Sequence, residues 1–254
     1  MKKPAPEKFA SEAEMCAKFI AAIGPLWTAY AETGGWDILL SRKSDGLQVG
    51  IQAKLLMNAH VVSQCLDERY QWGLTGPDHR AILVPSYATP FSEKICQTIG
   101  ITIITVQKGE KKYYQRNVFR PLLPVEDIHQ ISNSDWHEWC PEKRVELPEY
   151  VPDVAAGSPA PVQLTRWKIS AIKIAVLLEK RGFVTRSDFK HVGIDVRRWT
   201  DGLWLIAGDK GLIAGPHFPT LRAQHPRVFD EVAADFDKWA PVMREAPARI
   251  GALI

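Results

Sequence analysis

The sequence predicts an α/β protein: a mixed central sheet flanked by helices, followed by a smaller, mainly α module. Three observations lead there. Between residues 8 and 106, apolar runs of strand length alternate with segments whose apolar residues recur at helical spacing. That is the pattern of a sheet at least partly parallel and covered by helices on both faces. Two of the runs are joined by a short polar turn instead of a helix, which requires an antiparallel hairpin. From Trp167 onward, helical patterns lead into a Gly-rich hairpin over 208–216.

The elements follow in order. Residues 8–23 read as a helix, with Phe9, Cys16, Phe19, Ile20 and Ile23 on one face. Glu12 falls within that face and Glu14 opposite it; a carboxylate on an apolar stripe needs a partner or a task. Residues 27–32 read as a short extended segment leading to the Gly34-Gly35 turn. The runs around Asp37 and Gln52 are strands, joined by a turn at Asp45-Gly46. A helix is expected over 58–72, a short strand over 81–85, a helix over 89–99 ended by Gly100, and a last buried strand over 101–106. From 121 to 165 prolines are frequent and acids outnumber bases. With Trp136 and Trp139 in it, this stretch reads as an ordered connector, then a true linker over 152–161.

Beyond it, 167–181 is a helix buried over much of its girth and ended by Gly182. Residues 185–191 form a short helix capped by Thr185, with Asp188 three residues on. Asp195 caps a third helix running through Leu205. The 208–216 hairpin forms a wing, and 229–239 is a further amphipathic helix. The domains expected are thus 1–125, the acidic Pro-rich connector 126–164, and 165–254.

Composition bounds the function. The 254 residues (28.5 kDa), 46% hydrophobic and 24% charged, are those of a soluble globular protein of one large or two small domains. No apolar run approaches the roughly 18 residues of a membrane span. Residues 1–11 are charged and contain proline but no apolar signal core, so a cytoplasmic location is expected. Cys16, Cys65, Cys96 and Cys140 lie far apart with no C-x-x-C pair, as buried free thiols do. Charge is unevenly placed: residues 1–125 carry 15 basic against 11 acidic residues, 126–164 carry 2 against 8, and 165–216 carry 10 against 5. Two mildly basic modules flanking an acidic stretch suit a nucleic-acid partner. No H-E-x-x-H, G-x-x-x-x-G-K-[ST] or G-x-S-x-G occurs, which argues against a zinc hydrolase, a P-loop and a serine-hydrolase elbow.

The chemistry concentrates in residues 34–55. Side chains two apart on a strand share a face, so Gln52 and Lys54 point the same way. The hairpin can bring Asp37 beside them, gathering a carboxylate, an amide oxygen and an ammonium. A hard cation takes oxygen ligands, and phosphodiester cleavage needs a metal and a positive charge near the phosphate. Each residue also has a structural reading: Asp37 as a turn cap, Gln52 as a solvent-facing edge residue, Lys54 as a snorkelling side chain.

This unit, Asp37, a spacer, then Gln52-Ala53-Lys54, resembles the core of the PD-(D/E)xK nuclease superfamily. The Gln is similar to that of its Mrr-type restriction endonuclease branch. The likeness covers residues 8–125 and includes the element order helix, Asp-hairpin-QxK, helix, strand, helix, strand. It implies a PD-(D/E)xK-like sheet and Mg²⁺-dependent endonucleolytic hydrolysis of DNA, with Mn²⁺ able to substitute. Asp37 and Gln52 would hold the metal and Lys54 would act at the nucleophile. A helix acid often completes such sites; Glu12 is the choice and Glu32 its rival. Gln64, on the following helix, would contact substrate or satisfy a nearby backbone group. Cutting both strands would favour a homodimer.

The C-terminal module resembles a winged helix-turn-helix domain. That likeness makes Arg197 and Arg198, with Lys190 nearby, the nucleic-acid contacts, or else a charged face for a protein partner. Trp199 and Trp204 read as core rather than stacking platforms. The competing reading for the whole chain is a nuclease-like fold without catalysis, acting in DNA binding or assembly.

Overall fold

The computed structural model describes residues 7–66, 75–85, 89–109, 117–125, 135–158 and 163–241. The chain divides into two compact units, Met1–Leu164 and Thr165–Ile254. No described helix is long and apolar enough to cross a membrane.

The first unit is α/β. Helix α1 (Glu12–Ile20) precedes β1 (Trp27–Thr33), β2 (Trp36–Arg42) and β3 (Gln48–Ala53). Then come α2 (Ala59–Cys65), β4 (His79–Val84), α3 (Pro90–Thr98), β5 (Ile101–Val106) and β6 (Phe119–Arg120). The six strands form one mixed sheet in sequence order. β1, β2 and β3 are an antiparallel meander; β3, β4 and β5 are parallel, linked through α2 and α3; β6 returns antiparallel on β5.

The sheet is covered on both faces. Met15, Cys16 and Phe19 of α1 pack with Ile38, Leu40 and Ile51 on one. Val61 and Cys65 of α2 and Cys96 of α3 pack with Trp36, Leu39 and Ile82 on the other. β3 and β4 are buried at every position, which is why they read as continuous rather than alternating runs.

Several elements are shorter than their apolar patterns. Helix α1 starts after Ser11, whose hydroxyl accepts from the Glu14 N–H, and stops at Ile20, short of the expected Ile23. Helix α2, expected to reach residue 72, is described only to Cys65; 67–74 lie outside the described residues. β5 is not the last strand: the two residues of β6 are too few to leave a periodic signal.

The stretch expected as a separate connector belongs to the first unit. Trp136 is buried and its indole N–H donates to the Leu122 carbonyl at 2.8 Å. The Gln48 side chain brackets Val145, donating to its carbonyl (2.8 Å) and accepting from its N–H (2.9 Å). Of the expected linker over 152–161, Pro152 and Ala156 are buried, and 159–162 lie outside the described residues. An extended strap has no ladder of its own, so these side-chain bonds satisfy its buried backbone.

The second unit is mainly helical. α4 (Arg166–Arg181) is buried along most of its length and ends at Gly182. α5 (Arg186–Val192) carries the Thr185–Asp188 capping box. α6 (Arg197–Asp201) ends four residues before the expected Leu205. The chain turns at Leu203, with φ of 54°, so Leu205 begins the hairpin β7 (Leu205–Ala207) and β8 (Leu212–Ala214). Asp195 accepts from the Arg197 N–H (2.9 Å), but Val196 occupies the N-cap position. The expected 229–239 helix is two, α8 (Pro226–Ala234) and α9 (Phe236–Trp239), preceded by α7 (Leu221–Gln224). Val184, between α4 and α5, bridges to Leu212 of β8.

Candidate active site

The site begins at the β1–β2 turn. Gly34 and Gly35 both have positive φ (63° and 87°), the conformation that a tight two-residue hairpin loop demands. Asp37 stands one residue into β2. Ile38 pairs with Ile51, so the next step of the same register sets Asp37 opposite Gln52. At the far end of the β2–β3 hairpin, Arg42 donates to both carboxylate oxygens of Asp45 (2.8 and 2.5 Å) and closes the turn that fixes this register.

Asp37, Lys54 and Glu12 come together where β3 ends, with Gln52 opposite Asp37 in the register. Asp37 Oδ2 accepts from the backbone N–H of Ala53 at 2.7 Å. Lys54, whose own N–H continues the parallel ladder to Leu83, points its ammonium to Glu12 Oε2 at 3.0 Å. Both ends of that pair are about three-quarters buried, with 27% and 28% exposure. Gln52 is almost fully buried, and its amide donates to the Gly35 carbonyl at 2.8 Å. With its nitrogen tied to the turn, the carbonyl oxygen is the atom left for a cation.

Charge in this cluster is poorly solvated. Burial pushes the Asp37 carboxyl above its ordinary range; the Ala53 N–H and Lys54 pull it back, and the Glu12 charge adds to the rise. Burial likewise raises Glu32, opposed by the Gly157 N–H and reinforced by the Asp37 charge. Both candidate third acids therefore belong to the neighbourhood. Glu12 pairs directly with Lys54, whereas Glu32 Oε1 accepts from Gly157 at 2.8 Å.

Two participants escaped sequence reasoning. Cys16, one helical turn after Glu12, has its thiol pushed up to about 12, first by burial and then by the charges of Asp37, Glu12 and Glu32. It is a neutral spacer under three carboxylates; its place four residues from Glu12 was the available signal. Gly157 is the other. A Cβ there would lie 3.1 Å from Cys16 Sγ and 3.2 Å from Glu12 Cβ, and its φ is +70°. The strap thus presses its backbone onto α1 beside the cluster, a contact with no periodic signature.

The donor set fits a hard divalent cation. Asp37 and Glu12 offer carboxylate oxygens and Gln52 an amide oxygen. Among the described residues no three His, Cys, Asp or Glu side chains gather as a metal cage. Mg²⁺ does not need one, since it binds through one or two carboxylates and completes its shell with water and phosphate oxygens. Zinc fits poorly, because the one sulfur present is held as a thiol.

The remaining predicted residues lie elsewhere. Gln64, on α2, makes no hydrogen bond to the cluster among the described residues, and its buried carbonyl oxygen has no partner there. In the second unit, Lys190 on α5 and Arg197 and Arg198 on α6 are exposed, with no carboxylate in ion-pair range among the described residues. Trp199 is fully buried, as expected of core; Trp204 is only half-buried, a correction. Comparison with known protein families, with curated proteins and with solved structures returns no match for this chain.

Proposed function

We propose that the protein is a metal-dependent nuclease that hydrolyses DNA phosphodiester bonds, with Thr165–Ile254 as a DNA- or partner-binding unit. The observation that carries this is the gathering of Asp37, Lys54 and Glu12 at one strand end, with Gln52 opposite Asp37 in the register. The antiparallel meander running into parallel crossover strands, with a helix before it, supports the PD-(D/E)xK likeness. The Val184–Leu212 bridge, which ties the inter-helix segment to the hairpin, supports the winged-helix one.

Mg²⁺ held by Asp37, Gln52 and Glu12 would polarise a phosphoryl oxygen and lower the pKa of a bound water. The chain's own residues do the rest. Asp37 is held in place by the Ala53 N–H, so no reorganisation is needed to present its other oxygen. Lys54, held by Glu12, orients the attacking water and stabilises charge growing on the phosphate. Its bond to Glu12 keeps the ammonium at the site before substrate arrives. Gln52 brings no charge, so the site is less anionic than one with Glu and holds metal more weakly.

The neutrality of Gln52 also motivates a second reading, a catalytically silent DNA-binding or assembly protein. Gln52→Glu separates the two. A nuclease gains Mn²⁺ affinity by calorimetry and keeps cutting plasmid DNA. If wild type and variant both leave DNA intact while binding it equally, the nuclease reading is wrong.

A further inference from the structure

Beside α6 lies a cavity of about 350 Å³ lined by Trp167, Arg198, Gly202 and Trp204, within the range of small-ligand pockets, roughly 300–1,000 Å³. We propose that it seats an unstacked nucleobase of a bound nucleic acid, a role that rests on the reading of this unit as DNA-binding. Two indoles form its walls. Their centroids are 6.4 Å apart and their planes inclined at 61°. Behind them Trp199 is fully buried, 6.2 Å from Trp167 and 5.3 Å from Trp204, and holds both rings in place. Trp167, the one aromatic residue of α4, is 36% exposed, so part of its ring is open to a ligand.

The chemistry at the rim selects the ligand. Aromatic walls suit either a cation or another π system. Arg198 lines the same cavity, Arg197 is its neighbour, and both are exposed without a carboxylate partner among the described residues. The Arg198 guanidinium there repels a methylated ammonium. It attracts a phosphate, so a ring that carries its own phosphate satisfies both walls and rim. Gly202 also lines the cavity, where a Cβ would crowd the Arg198 carbonyl at 3.1 Å and touch the Trp204 ring at 3.5 Å.

The test compares ligands that differ only in their bases. The full chain, with metal chelated, is titrated with an oligothymidylate of about 12 nucleotides and with a tetrahydrofuran abasic strand of equal length. Wild type binds the base-bearing strand about tenfold or more tighter. Trp167→Ala removes the difference and leaves abasic binding unchanged, while Trp167→Phe restores most of it. A duplex with one unpaired base, tested against its fully paired form, distinguishes an everted base from a single strand as the source. Equal wild-type affinity for the two strands overturns the base seat and leaves DNA binding intact. So does an equal loss on both strands in Trp167→Ala, which is the mark of a structural role. Binding to neither strand overturns the DNA-binding reading itself, and the seat with it.

Discussion

The strand-end cluster of the first unit and the α6 face of the second are both charged, but they are built in opposite ways. Lys54 is three-quarters buried and held by Glu12. Asp37 is held by the Ala53 backbone, Gln52 by the Gly35 carbonyl and Glu32 by Gly157. On α6, Arg197 and Arg198 are exposed and unpaired among the described residues. The first arrangement restricts each group to one position, as chemistry at a point requires. The second leaves long side chains free to meet phosphates along a polyanion. The difference predicts that substitutions at the cluster change both stability and activity, whereas those at α6 change affinity and its salt dependence alone.

The largest stability effect is expected at the strap. Gly157→Val puts a branched side chain at positive φ against Cys16 and Glu12, and should cost roughly 2 kcal/mol or more. Denaturant unfolding measures it; an unchanged midpoint would mean that the strap is not seated on α1. Next is the ion pair. Glu12→Gln leaves the partly buried Lys54 ammonium with a neutral partner and should cost about 1 kcal/mol, the upper end for partly exposed pairs.

Then comes pH. Asp37 and Glu32 have folded pKa values raised by burial. Between the ordinary carboxylate range and those raised values, the folded chain keeps protons that the unfolded chain has lost. Stability therefore falls as pH rises through that window and is fullest below it. Asp37→Asn removes its share, so its stability relative to wild type should grow as pH rises through the window, with metal chelated. A difference independent of pH would contradict the desolvation account. The smallest effect is at α6. Arg197→Ala and Arg198→Ala should leave stability within about 0.5 kcal/mol, yet each should lower the salt slope of DNA binding by about 1.

Much of the cluster was legible because strand and helix periods are simple. The D-to-QxK spacing put Asp37, Gln52 and Lys54 at neighbouring strand ends, and Glu12 stood out as a carboxylate on an apolar stripe. The Gly34-Gly35 and Asp45-Gly46 turns marked the strands that set Asp37 opposite Gln52. What was not legible is held by contacts without a period. The 135–158 strap reads as a connector because its bonds are isolated ones, such as Gln48 to Val145, Glu32 to Gly157 and the Trp139 N–H to the Asp78 carbonyl. Helix ends were over-extended at Ile23 and Leu205, since apolar residues continue after the helical backbone has stopped. Trp204 looked like core because indole size says nothing about which face remains open.

The central claim is that the strand-end cluster cuts DNA. It is tested most directly by incubating supercoiled plasmid and single-stranded DNA with Mg²⁺ or Mn²⁺, using wild type, Asp37→Ala and Lys54→Ala. Metal-dependent cutting by wild type, reduced about 10²- to 10³-fold or more in each variant, is the predicted result. Cutting that survives both substitutions, or a wild type that binds DNA and cuts none of it with either metal, would contradict the claim.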